Sequence, residues 1–256
     1  VSGANRGTRR AQRVPGELYA VWVVGNELWN EPLIRADYAR VIQGARVVLV
    51  ISETTLAALQ AKVTNLPPCK VCLLATEEEG ESPLGPPDGP PTLLVFGRHD
   101  SYFAKGQDIL VRLWPRVTAA LPDARLMFVG GGLKLAELRN LAAASPAHEN
   151  INVKGFVEEQ DILPIWQQAS ALALISSLEG FGLVIAEAMR HGRPVLASLQ
   201  DAGREVNTDG VTGYNVDRND DDAIVAKVVA LLGDTEKARR MGEAGRMRWR
   251  THFRPS

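Results

Sequence analysis

The chain has 256 residues, of which 45% are apolar and 23% charged, and its formal net charge is −1. Those proportions describe a globular chain long enough for one large domain or two modest ones. They exclude an overall field that would gather nucleic acid, and no apolar run approaches the roughly 20 residues that span a bilayer.

The first feature in chain order is a basic cluster, Arg6, Arg9, Arg10 and Arg13, read as a solvated tail over residues 1–16, with a lipid-surface patch as the alternative. No positive-then-apolar signal segment opens the chain, so a cytoplasmic setting is expected, with peripheral contact to the inner membrane left open. Apolar runs follow at 18–25, 46–51, 70–75, 92–97, 125–131, 151–157, 171–177, 193–198 and 213–217. Most are short, unbroken and rich in Val, Ile and Leu, which suits strands covered on both faces. Cys69 and Cys72 form a C-x-x-C at the third run. Residues three apart on a strand point to opposite faces. No second pair or nearby His completes a zinc set. Both are therefore read as buried thiols, and no metal site is expected.

Helical patterns lie between the runs. In 105–121 the residues Ile109, Leu110, Leu113, Trp114, Val117 and Leu121 make one apolar stripe, and Pro115 inside it predicts a kink or a broken first turn. Residues 133–144, 159–169, 182–191, 220–232 and 234–250 also read as helices. The one at 182–191 has a clear stop in His191, Gly192 and Pro194. Such alternation predicts an α/β chain built on a Rossmann-like, doubly wound parallel sheet. The Pro/Gly-rich stretch 80–91 is a loop. It is placed inside the second domain because run 70–75 has the pattern of that domain's first strand. The expected organisation is a tail at 1–16, part of an α/β domain at 17–64, a nucleotide-binding domain at 65–235 and a C-terminal helix at 236–256.

Ligands of such sheets bind beyond the carboxyl ends of the strands. Gly97-Arg98 leaves one run and Lys105-Gly106 opens the next helix, so two cations share one loop. That loop suits a diphosphate, or it carries two solvated charges. Gly130-Gly131-Gly132 allows close backbone approach, or an ordinary turn. The segment Ser176-Ser177-Leu178-Glu179-Gly180-Phe181-Gly182 leads into a helix carrying Leu183 and Glu187. Its glycines expose amides to an anion. Its carboxylates suit sugar hydroxyls better than phosphate. A fourth loop, Ala202-Gly203-Arg204-Glu205-Val206, reaches the same edge.

Taken together, Glu179-Gly180-Phe181-Gly182-Leu183 with Glu187 resembles the "Glu, seven residues, Glu" pattern of retaining glycosyltransferases of the GT-B fold, group 1. That group includes glycogen and sucrose synthases and many bacterial lipid and polysaccharide glycosyltransferases. Gly97-Arg98 with Lys105-Gly106, Gly155-Phe156-Val157, Gly192 with Pro194-Val195, Gly203 with Glu205, and Asp209-Gly210 with Thr212-Gly213 fall in that family's order. The resemblance covers about residues 65–250.

The resemblance implies a nucleoside diphosphate sugar as donor and no further cofactor. It implies Arg98, Lys105 and Glu179 as the catalytic set. Gly97, Gly131, Val157, Gly180, Phe181, Gly182, Leu183 and Glu187 are implied donor contacts, with phosphates on the amides of 180–182 and ribose on Glu187. A saccharide, lipid-linked or small-molecule acceptor, transfer with retention and independence of metal are implied as well. A non-catalytic nucleotide-sugar-binding module remains the alternative. The chain departs from the family in having at most about 60 residues of the first domain, and Thr76-Glu77-Glu78-Glu79-Gly80 stands where another motif is usual.

Overall fold

A computed structural model of the chain describes residues 18–25, 28, 36–76, 84–99 and 105–255. It has two units, residues 1–72 and 73–256. The basic tail and most of the Thr76–Gly80 motif lie outside the described residues.

In the first unit, β1 (Ala20–Val23), β2 (Val47–Val50) and β3 (Cys69–Val71) form a parallel sheet in that order. Helices α1 (Ala36–Gln43) and α2 (Glu53–Lys62) connect them. Val23, Val48, Val50, Ile42 and Leu59 are buried in one cluster. The Ser52 hydroxyl caps α2 by accepting the Thr55 N–H at 3.0 Å, a contact of about 1 kcal/mol.

Two expectations are corrected here. The third apolar run does not open the larger sheet: Val48 pairs with Cys69 and Val50 with Val71, so β3 completes the first sheet. A buried parallel strand looks the same in sequence whichever sheet it joins. That strand also ends at Val71, leaving Cys69 half-buried and Cys72 exposed rather than both buried.

The second unit carries β4 (Thr92–Phe96), β5 (Arg125–Val129), β6 (Ile151–Gly155), β7 (Ala171–Leu174), β8 (Val195–Ser198) and β9 (Gly213–Val216). Its helices are α3 (Gln107–Ala120), α4 (Leu135–Ala143), α5 (Glu159–Gln168), α6 (Leu183–Arg190), α7 (Gly203–Val206), α8 (Asp221–Gly233) and α9 (Thr235–His252). The sheet order is β6-β5-β4-β7-β8-β9, and every pairing is parallel. Counted from β4 this is the Rossmann order, 3-2-1-4-5-6. The chain winds outward from β4 in one direction and outward from β7 in the other. The topological switch point is therefore between β4 and β7.

The apolar stripe of α3 packs on this sheet, with Ile109, Leu110, Leu113, Trp114 and Val117 all buried. Each such side chain contributes about 1.5–3 kcal/mol. Pro115 does not break the helix, which runs unbroken from Gln107 to Ala120. Burial of Trp114 and Val117 on either side holds the turn that the missing N–H weakens. Helix α9 belongs to this unit. Its Gly242 lies so near the Gly192 carbonyl that a methyl group would sit 1.9 Å from the oxygen. The Trp249 indole N–H donates to the Thr76 hydroxyl at 2.7 Å, and the Thr76 N–H donates to the Phe253 carbonyl at 3.0 Å. The two ends of the unit are thereby joined.

Candidate functional site

The loops leaving β4 and β7 meet at the switch point. Gly106 caps α3 in the left-handed conformation, with φ of 79°. A β-carbon there would lie 2.7 Å from the Ile175 carbonyl oxygen, at the end of β7. Only glycine combines that backbone angle with that approach. Gly182 caps α6 in the same way, with φ of 90°. Neither helix has a side-chain cap, so two first turns present uncapped amides and the positive ends of two helix dipoles at one sheet edge.

Across this junction the Lys105 ammonium donates to Glu179 Oε2 at 2.9 Å. Both side chains are about a quarter exposed, at 24% and 23%. The sequence reading gave them separate tasks; the fold joins them in an ion pair. Gly97 makes room for the lysine stem, since a β-carbon there would lie 3.0 Å from Lys105 Cε. Arg98, beside it, is exposed. The buried Gln107 accepts the Lys105 backbone N–H at 3.1 Å, and its amide nitrogen meets His99 Nδ1 at 3.0 Å. The His99 backbone N–H donates to the Gly131 carbonyl at 2.9 Å. Gly131 is thus tied by hydrogen bonds to the lysine loop. Phe156 lies beside Gly131 and is exposed, whereas Val157 is half-buried.

In the loop before α6, Gly180 and Phe181 are buried, and Leu183, the first residue of the helix, is exposed. The Phe181 ring meets Phe253 edge-on at 5.8 Å. Its side chain is therefore spent on packing, and only its backbone is left for a ligand. Glu187 is half-buried and its carboxylate makes no hydrogen bond among the described residues. Burial pushes its pKa up, against the pull of Arg190.

One site residue escaped the sequence reading. Asp201, on the loop after β8, is 2% exposed. The Ser176 hydroxyl donates to its Oδ2, and the Gly203 N–H donates to its Oδ1 at 2.9 Å. Burial pushes its pKa up to about 6; the bonds from Ser176, Gly203 and the Glu179 backbone N–H oppose that rise and the charge of Glu179 adds to it. Beside it the Ala202 N–H donates to the Glu179 carbonyl at 3.2 Å. The sequence signal was faint: an Asp two residues before a glycine is ordinary loop chemistry. Conversely His191, seen in sequence only as a helix stop, is buried and stacked on Trp166 at 5.1 Å. It lies at the opposite edge, before β8.

The Rossmann-like architecture is that of GT-B glycosyltransferases, and its switch point carries an ammonium, carboxylates and two helix starts without side-chain caps. The chain belongs to the family of glycosyl transferases group 1, whose family model matches residues 76–248. It is similar to the GDP-mannose-dependent alpha-(1-6)-phosphatidylinositol monomannoside mannosyltransferase of Mycolicibacterium smegmatis, with 34% identity over 57% of this chain and 42% of that protein. The monoacylated counterpart from Corynebacterium glutamicum is 35% identical over 56% of this chain and 38% of its own length. The chain thus spans about two fifths of the length of these relatives. Sucrose-phosphate synthase from Thermosynechococcus elongatus shares the fold with a TM-score of 0.76 and 24% identity, over 93% of this chain and 63% of that one. HepE of Anabaena, in complex with UDP and glucose, does so with a TM-score of 0.72 and 21% identity, over 93% and 68%. Among the described residues no helix is long and apolar enough to cross a membrane.

Proposed function

We propose that the chain carries the donor half of a glycosyltransferase that moves a sugar from a nucleoside diphosphate to a saccharide, lipid-linked or small-molecule acceptor, with retention and without a metal ion. The observation that carries this reading is the Lys105–Glu179 pair lying across two glycine-capped helix starts at the switch point. A diphosphate competes with Glu179 for the ammonium. It binds Lys105, Arg98 and the amides of Gly180, Phe181, Gly182 and Leu183. Glu179, released, accepts hydrogen bonds from the donor sugar. Glu187 accepts from the ribose hydroxyls, and the base lies beyond Gly131 and Val157.

In transfer, the bond between the anomeric carbon and the phosphate oxygen breaks, and its electron pair goes to the leaving diphosphate. The cations and amides stabilise that growing charge, which gives the site its catalytic leverage without a metal. The acceptor hydroxyl attacks from the same face and passes its proton to the departing phosphate, so configuration is retained. The named specificity of the relatives makes GDP-mannose the first donor to test.

Calorimetric titration with GDP, UDP and GDP-mannose, with and without EDTA, is the test. Binding that survives EDTA and is lost in Lys105→Ala supports the reading; no binding of any of the three overturns it. Binding without transfer, in a chain extended to the length of its relatives and offered acceptors, would mark a non-catalytic module instead.

A further inference from the structure

We propose that Asp201 is a positioning residue for the donor site, latching the Glu179 loop to the start of α7 through Ser176. The inference rests on the donor-site reading above and adds a residue to it.

Between Ile175 and Gly182 the chain must turn from strand to helix while presenting the Glu179 carboxylate and a row of amides. Besides the Lys105–Glu179 ion pair, the loop after β8 holds that turn. Ser176 donates to Asp201, and the Glu179 carbonyl accepts the Ala202 N–H at 3.2 Å. Asp201 is fixed in turn by the Gly203 N–H, and a β-carbon on Gly203 would lie 3.1 Å from both Asp201 Oδ1 and Ile185 Cδ1. Ile185, in the first turn of α6, also lies 3.0 Å from where a β-carbon on Gly182 would be. Strand end, Glu179 loop, α6 and α7 therefore share one packed knot with Asp201 near its centre.

Ser176 and Asp201 are each 2% exposed, so water does not compete for their bond. No ion pair of Asp201 with a cation is present among the described residues. A buried carboxylate without a counter-charge destabilises a fold. Its place beside the loop that carries Glu179 is where such a cost is compensated by function. Asp201 does not itself reach the donor; it acts through Ser176 and the Glu179 loop.

The test measures GDP affinity by calorimetry, melting temperature, and amide hydrogen exchange of residues 176–183 in the full chain. Ser176→Ala and Asp201→Ala are expected to weaken GDP about tenfold and to speed exchange in that segment. Asp201→Asn, whose amide can accept from Gly203 and donate to Ser176, is expected to restore affinity to within about threefold and exchange to the wild-type rate. Exchange and affinity unchanged in both alanine variants overturn the latch. So does loss of affinity that tracks melting temperature alone and is equal in the Asn variant. If the unmodified chain fails to bind GDP, UDP and GDP-mannose, the functional reading fails, and the exchange rates still decide whether Asp201 holds the loop.

Discussion

At the amino edge of the six-stranded sheet, His191 and Arg193 are buried among structural partners. His191 stacks on Trp166, and Arg193 donates to the Trp166 carbonyl at 3.1 Å and the Gly85 carbonyl at 3.0 Å. At the carboxyl edge Lys105, Glu179 and Glu187 are only half-buried, held by one exchangeable ion pair or by no hydrogen bond among the described residues. Asp201 is fully buried there without a cation. The amino edge uses polar groups to close the fold, whereas the carboxyl edge leaves them available to a ligand. In a doubly wound sheet ligands bind beyond the carboxyl ends of the strands.

The largest expected effect breaks the amino edge with acid. Burial, with Arg190, Arg193 and Arg246 nearby, lowers the His191 pKa from 6.5 to about 3. The folded state then refuses a proton that the unfolded chain accepts. This contribution to stability is complete above about pH 6.5 and is lost as pH falls toward 3, by as much as about 5 kcal/mol. A denaturant series from pH 7.5 to 4 should show His191→Gln with a shallower acid decline than the wild type. An equal decline would place the acid sensitivity elsewhere.

Next in size is Gly106→Ala, which separates the two loops of the carboxyl edge. The left-handed backbone costs about 1–2 kcal/mol for a residue with a β-carbon, and the approach to the Ile175 carbonyl adds to it. A loss of about 3 kcal/mol in unfolding free energy is expected, together with loss of nucleotide binding. Lys105→Ala should leave melting almost unchanged and weaken GDP about ten- to a hundredfold, the range of one charge-assisted contact. Calorimetry and a thermal scan on one preparation separate these two variants.

The smallest effect runs in the opposite direction. The Asp201 carboxyl is raised from 3.8 to about 6. Its folded form keeps a proton that the unfolded form releases, so stability is greatest below about pH 4 and declines until about pH 6. Above that the cost levels at about 3 kcal/mol. Asp201→Asn removes that cost and perturbs the hydrogen bonds, for a net gain of about 1–2 kcal/mol at pH 7.5 that vanishes near pH 4. Equal gains at both pH values would show that the carboxyl does not titrate as a buried acid.

Much of this was legible in the residues. The α3 stripe from Ile109 to Val117, and the helix starts after Gly106 and Gly182, follow from local patterns that burial and backbone geometry impose on nearby positions. Arg98, Lys105, Glu179 and Glu187 stood out because strand ends in such sheets are known places for ligands. The run at 70–75 was misassigned to the second sheet because strand pairing is a contact between distant segments. The buried thiols failed for a related reason: exposure at Cys72 depends on where β3 stops. Asp201 was overlooked because its partner, Ser176, is 25 residues away, and nothing in the spacing of either residue reveals the other.

The sequence alone determined the order of strands and helices, the class of fold and the chemical types gathered at the strand ends. Hydrophobic period and glycine placement are local, and they act within a few residues. Tertiary structure alone decided which strands became neighbours and that Lys105 pairs with Glu179. It alone decided, too, that Asp201 is buried beneath the loop while His191 is buried away from it. Those outcomes depend on how segments far apart in the chain exclude water from one another, and burial, more than residue type, sets how an ionisable group behaves.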